Sequence, residues 1–168
     1  MVASGGKWGK VDQIFAICHC KYFHKMFIGE HHHTIDDKNR LQIPAKWRAQ
    51  LDGGAVLTKG FDGSLKCYPA AIWVRIAEKL AVLPQADQMA RAYVRQTLSG
   101  AVDVELDKLG RILLPNYLKT YSSLTKYTVL AGLSDHFEVW DEQAWELYIG
   151  QTDLSGPQAT AVLSTIGI

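Results

Sequence analysis

The residues with the most chemistry in them stand in two copies of one short pattern. Ile35-Asp36-Asp37-Lys38-Asn39-Arg40-Leu41-Gln42-Ile43-Pro44 is matched 71 residues later by Leu106-Asp107-Lys108-Leu109-Gly110-Arg111-Ile112-Leu113-Leu114-Pro115. Each copy reads apolar, Asp, three residues, Arg, apolar, any residue, apolar, Pro. An aspartate opening a turn can accept bonds from amides two residues on. Asn39 and Gly110 are the two residue types that best accept a left-handed backbone. Asp36, Asn39, Asp107 and Gly110 therefore read as shaping two equivalent turns. Lys38, Arg40, Lys108 and Arg111 are then cations carried on their tips. Cations repeated on rigid loops between strands suit phosphate contact and entry into a nucleic-acid groove, and arginine adds two-pronged reading of guanine. The rival use of the arginines is internal, each pairing with an aspartate, a half-exposed contact of small energetic weight.

Other constellations carry less. Alternate residues of a strand share a face, so His31 and His33 could meet Asp36 or Asp37 on a divalent ion. That gives a metal-dependent hydrolase as an alternative function, although adjacent histidines in an extended segment more often form a solvated edge. Cys18-His19-Cys20 with His24 could hold a soft metal, but no second cysteine pair completes a four-ligand set. No nucleophile triad, glycine-rich phosphate loop or zinc-finger spacing is present. The expectation is a protein that is not an enzyme and uses no cofactor and no metal.

The elements that must hold the two loops repeat as well. After one inserted residue a second match runs at an offset of 72, pairing Leu57 with Val129, Leu65 with Phe137, Cys67 with Val139, Tyr68 with Trp140 and Trp73 with Trp145. A repeat of this length is found before any fold is guessed. Each copy reads as strand, loop, strand, short helix, strand, strand, helix. Arg40 to Ile43 alternates polar and apolar as a half-buried strand does. Pro44 suits the start of a helix running to Leu51. Residues 55–58 and 64–68 form a hairpin around Gly60 to Gly63. Pro69 opens a longer helix with Ile72, Trp73, Ile76, Leu80 and Leu83 on one face, broken at Pro84. A further helix, about Gln85 to Leu98, carries Met89, Tyr93 and Leu98 inward with Arg91 and Arg95 outward. The domain plan is an N-terminal extension over 1–25, a first repeat over 30–76, a helical connector over 77–99, a second repeat over 101–144, and a C-terminal helix and tail over 145–168. The extension has no counterpart in the repeat, and Met26 stands where a natural start would fall. Ser155-Gly156-Pro157 breaks the chain before an uncharged tail.

The chain's 168 residues carry a formal net charge of +1, and 48% of them are hydrophobic. That affords a sizeable core and disfavours global disorder. Residues 36–48 set Lys38, Arg40, Lys46 and Arg48 against Asp36 and Asp37, and residues 107–119 set Lys108, Arg111 and Lys119 against Asp107. Acid concentrates instead at Asp135, Glu138, Asp141, Glu142 and Glu146. The charge is thus local to the motif copies. Three cysteines without framework spacing point to a reducing, cytoplasmic setting. No apolar run is long enough to span a membrane.

Met26-Phe27-Ile28-Gly29, the two Asp-to-Pro motifs, and Phe137-Glu138-Val139-Trp140-Asp141 together resemble the MraZ family of bacterial transcriptional regulators. The resemblance covers residues 26 to about 150. It implies an α+β fold of two pseudo-symmetric AbrB-like (SpoVT-AbrB) swapped-hairpin β units, packed as a small β-barrel with flanking helices. It implies homo-oligomeric rings that bind double-stranded DNA at promoter direct repeats near the nucleoid, with Lys38, Arg40 and Arg111 matching the family's DNA-contacting loops. It further implies regulation of the cell-division and cell-wall gene cluster, as repressor or autoregulator. An antitoxin-like AbrB module is the neighbouring alternative; it would be shorter, with one unit and an acidic tail.

Overall fold

The structure, a computed structural model, describes residues 26–152 together with 156, 161 and 163–165. The extension with Cys18, His19, Cys20 and His24, and the breaker residues Ser155 and Pro157, lie outside the described residues.

The chain runs β1 (Phe27–Thr34), β2 (Arg40–Gln42), α1 (Ala45–Arg48), β3 (Ala55–Lys59), β4 (Leu65–Pro69), α2 (Ala70–Ala81) and α3 (Gln88–Ser99). It continues through β5 (Val102–Val104), β6 (Arg111–Leu113), α4 (Asn116–Tyr121), β7 (Tyr127–Ser134), β8 (Phe137–Asp141) and α5 (Glu142–Gln151). Prolines 44, 69 and 115 occupy the residue before α1, α2 and α4, where a fixed φ costs nothing and no amide is needed. Asp87 and Asp141 cap α3 and α5 with their carboxylates.

The strand order shows how the duplication folds. Six antiparallel strands lie in the order β1-β7-β8-β4-β3-β5, and β2 pairs β6 in a separate two-stranded ribbon. The first strand of each copy has crossed to the other copy: β1 pairs β7, and β5 pairs β3. The two hairpins meet through β4 and β8, with Leu65 opposite Val139, Lys66 opposite Glu138 and Cys67 opposite Phe137. In the ribbon Leu41 stands opposite Ile112. A pseudo-two-fold axis therefore passes through both sheets. The small barrel expected from the sequence is built from these two sheets enclosing one core.

That core is filled from both copies. Leu41, Ile43, Leu57, Leu65 and Cys67 meet Ile112, Leu114, Leu130, Phe137 and Val139, all buried. Full burial of each large side chain contributes roughly 1.5–3 kcal/mol, so neither half retains its core without the other. Phe27, Trp47 and Phe137 close one end with ring centroids 5.3–5.5 Å apart. At Gly132 a Cβ would lie 2.6 Å from the Ile28 nitrogen, so the β1–β7 approach requires glycine. Cys67 is wholly buried, and burial pushes its thiol far above the usual range, making it a core residue rather than a reactive one.

Two expectations are corrected. The helix after Pro44 spans four residues and then turns; Leu51 lies beyond it but is still buried. In α3 the apolar residues Met89, Tyr93 and Leu98 are exposed, and the buried position is Thr97, whose carbonyl accepts the Thr58 hydroxyl at 2.7 Å. Arg95 is exposed, whereas Arg91 is half-buried and donates to the Gln85 carbonyl at 2.5 Å. The Thr58–Thr97 bond ties the helix to β3, and Tyr93 stacks on Phe61 with ring centroids 5.5 Å apart.

Candidate nucleic-acid interface

The ribbon β2–β6 turns Leu41 and Ile112 into the core. Alternation leaves Arg40, Gln42, Arg111 and Leu113 on its other face. A loop stands at each end: residues 36–40 lead into β2, and residues 107–111 lead into β6.

The two loops are built alike. Asp36 Oδ1 accepts the amides of Lys38 and Arg40 at 2.9 Å, and Asp107 Oδ1 accepts those of Leu109 and Arg111 at 2.9 and 3.0 Å. Asn39 N bonds the Asp36 carbonyl and Gly110 N the Asp107 carbonyl, and both residues have positive φ, 57° and 76°. Asp36 and Asp107 thus open two turns with the same bonds, each containing a left-handed residue, Asn39 or Gly110.

The arginines are tied into these turns. Arg40 gives Nε to Asp36 Oδ2 at 2.8 Å and Nη2 at 2.7 Å. Arg111 gives Nε to Asp107 Oδ2 at 2.8 Å and Nη2 at 2.6 Å, and its Nη1 lies 3.6 Å from Asp36 Oδ2 across the axis. Backbone and side-chain bonds from Arg40 lower the Asp36 carboxyl below its ordinary value, and the bond from Arg111 holds Asp107 at about 2. Among the described residues Arg111 is thus paired with two carboxylates and Arg40 with one. Lys38 and Lys108 are exposed and form no ion pair among the described residues.

Residues to which sequence pattern alone assigns no role brace the loops from the opposite copy. Lys119 Nζ donates to Asn39 Oδ1 at 2.9 Å, and Asn39 Nδ2 donates to Asn116 Oδ1 at 2.8 Å. Arg48 bonds the Ile43 carbonyl at 2.9 Å, and its guanidinium lies against Gly110 so closely that a Cβ there would collide with it. Gln42 Nε2 donates to the carbonyls of Leu109 and Gly110 at 3.0 and 3.1 Å. Arg48 and Lys119 are themselves 71 residues apart, so the repeat offset contains the signal that they belong together.

The alternative metal site is not assembled. His31 and His33 stack 6.4 Å apart, and His31 packs edge-on against Trp47 at 4.9 Å. Burial, followed by the Lys46 charge, lowers the His31 pKa. Asp36 has both oxygens engaged in its own turn, and Asp37 is exposed at the tip. Among the described residues no three His, Cys, Asp or Glu side chains converge on a point that could hold an ion. Nor is any described helix long and apolar enough to cross a membrane.

Fold and loops together define a class: a duplicated α+β protein whose copies exchange strands and carry matched basic turns at the ends of one ribbon. The family model of the MraZ protein, whose description adds "antitoxin-like", matches the chain twice, over residues 26–96 and 97–164. The chain belongs to the MraZ family. It is similar to the transcriptional regulator MraZ of Moorella thermoacetica, 48% identical over 127 residues, covering 76% of this chain and 89% of that protein. The transcriptional regulator MraZ of Pelotomaculum thermopropionicum is 49% identical over 126 residues, 75% of this chain and 87% of its own length. That of Leuconostoc mesenteroides is 44% identical over 127 residues, 76% and 89%. The chain accordingly stands in a family of regulators rather than of enzymes.

Proposed function

We propose that the chain is a sequence-specific DNA-binding regulator of transcription, acting as repressor and autoregulator of the bacterial cell-division and cell-wall gene cluster. The observation that carries this reading is the pair of pre-organised turns, each holding a lysine free of carboxylates at opposite ends of one ribbon. Lys38 and Lys108 are the phosphate contacts, Arg40, paired with a single carboxylate, offers its guanidinium to a base or phosphate, and Arg111 acts mainly by fixing its turn. The relatives named as transcriptional regulators support the assignment.

One protomer presents few free cations and the whole chain is near neutral. Assembly into a ring repeats the patch, and linked sites raise avidity by roughly 10²–10⁴ without new contacts. A head-to-tail ring calls for tandem rather than palindromic sites, which fits promoter direct repeats and a nucleoid-associated, cytoplasmic protein.

The test is a mobility-shift titration on the DNA upstream of the chain's own gene across a salt series. Lys38→Ala and Lys108→Ala should weaken binding, each flattening the log–log salt slope by about 0.9 for every phosphate that is no longer neutralised. Unchanged affinity and slope in both variants would remove the loops from the interface.

A further inference from the structure

The two turns share a backbone but not a tip. Aligned by the repeat, Asp37-Lys38-Asn39 corresponds to Lys108-Leu109-Gly110, and Gln42 of β2 corresponds to Leu113 of β6. The lysine is therefore displaced by one residue, and a leucine takes its place at the second tip. Leu109 is 62% exposed. Turn tips ordinarily take Gly, Asn, Asp or Ser, so an outward leucine has no local structural reason.

Leu109 is also held firmly. Its amide donates to Asp107 Oδ1 at 2.9 Å, and its carbonyl accepts Gln42 Nε2 at 3.0 Å. The first tip has no counterpart to the second of these bonds, because Leu113 replaces Gln42 and cannot donate. The backbone of an apolar residue is thus fixed beside Lys108, and the acid of the same turn, Asp107, is already paired with Arg111. A polyanion that brings an apolar group within reach of its phosphates matches this arrangement. In duplex DNA that group is the thymine 5-methyl, displayed in the major groove.

Resting on the DNA-binding reading above, we infer that Leu109 is a specificity-determining residue that contacts a thymine methyl, so that the two turns of one protomer read DNA differently. The first turn contacts DNA through charge and hydrogen bonds. The second adds an apolar contact that favours thymine over cytosine at its position.

The experiment compares the same upstream duplex made with thymine or wholly with deoxyuridine, which pairs identically but lacks the methyl. The full chain, Leu109→Ala and Lys38→Ala are titrated against both, and the mass of each protein's assembly is measured by light scattering. The unaltered chain should bind the uracil duplex at least about fourfold more weakly, the effect of removing one buried methyl. Leu109→Ala should bind the two duplexes more nearly equally, while Lys38→Ala weakens on both and keeps the ratio. A Leu109→Ala protein that keeps the full thymine preference, or an unaltered chain with none, overturns the inference while leaving DNA binding standing. A smaller assembly for Leu109→Ala with its thymine preference intact also overturns it, by making Leu109 a contact between copies. No binding of either duplex by the unaltered chain at low salt removes the DNA-binding reading itself.

Discussion

Asp107 is tightly held in its turn. Its Oδ2 receives the Arg111 guanidinium and its Oδ1 two amides, which brings the carboxyl from an ordinary 3.8 to about 2. A carboxyl depressed on folding stabilises the folded state fully above its ordinary value and loses that contribution as pH falls through the depressed one. Carbon-13 titration of the side chain should therefore find Asp107 still ionised at pH 3. Asp107→Asn should remove this titration from the acid-unfolding curve, detaching Arg111 without opening the core. Gly110 is constrained in another way. Its φ is 76° and Arg48 occupies the space of a Cβ. Gly110→Ala should cost about 1–3 kcal/mol in urea unfolding, since both the backbone and Arg48 must yield. A neutral result would mean that the guanidinium swings away freely.

At the scale of elements, the sequence discloses what periodicity and repetition encode. The strand–turn–strand order, both hairpins and the shared turn geometry follow from local residue types such as Asp36, Asn39 and Gly110, whose conformational preferences act within a few residues. Pairing partners are less accessible. That Arg48 lies on Gly110, or that Arg111 reaches Asp36, depends on exchange of strands between copies, a relation between distant segments. Helix α3 shows the same limit. Its apolar residues suggest a buried stripe, yet the buried position is Thr97 and polar bonds help to hold the helix: Thr58 Oγ1 donates to the Thr97 carbonyl, and Tyr117 Oη to the Gly100 carbonyl just beyond the helix. Periodicity does not report a single buried hydroxyl. Thr58→Val keeps the shape but leaves that carbonyl unpaired, so it should cost about 1–3 kcal/mol. Amide exchange should accelerate in α3 before it does in β7. Uniform acceleration would show that α3 is not separately held.

Across the whole molecule, the duplication raises a question of pairing: what makes a first copy join a second copy rather than another first? The hairpins β4 and β8 meet with Lys66 opposite Glu138, 3.7 Å between charges, close to the pseudo-two-fold axis. Those two positions are equivalent under the repeat. Two first copies would set lysine against lysine, and two second copies glutamate against glutamate; like charges directly opposite on strands are destabilising. The pair therefore favours the mixed arrangement over exchange that joins like copies of two chains. Lys66→Glu places two glutamates together and should lower stability by about 1 kcal/mol. It should also raise the fraction of chains that exchange halves when two differently labelled preparations are unfolded and refolded together. Adding Glu138→Lys restores opposite signs and should return exchange to its starting level, although stability recovers only in part, because Glu138 also accepts the Trp140 indole at 2.9 Å. If the single variant refolds without added exchange, shape in the shared core, not charge on the axis, selects the partner.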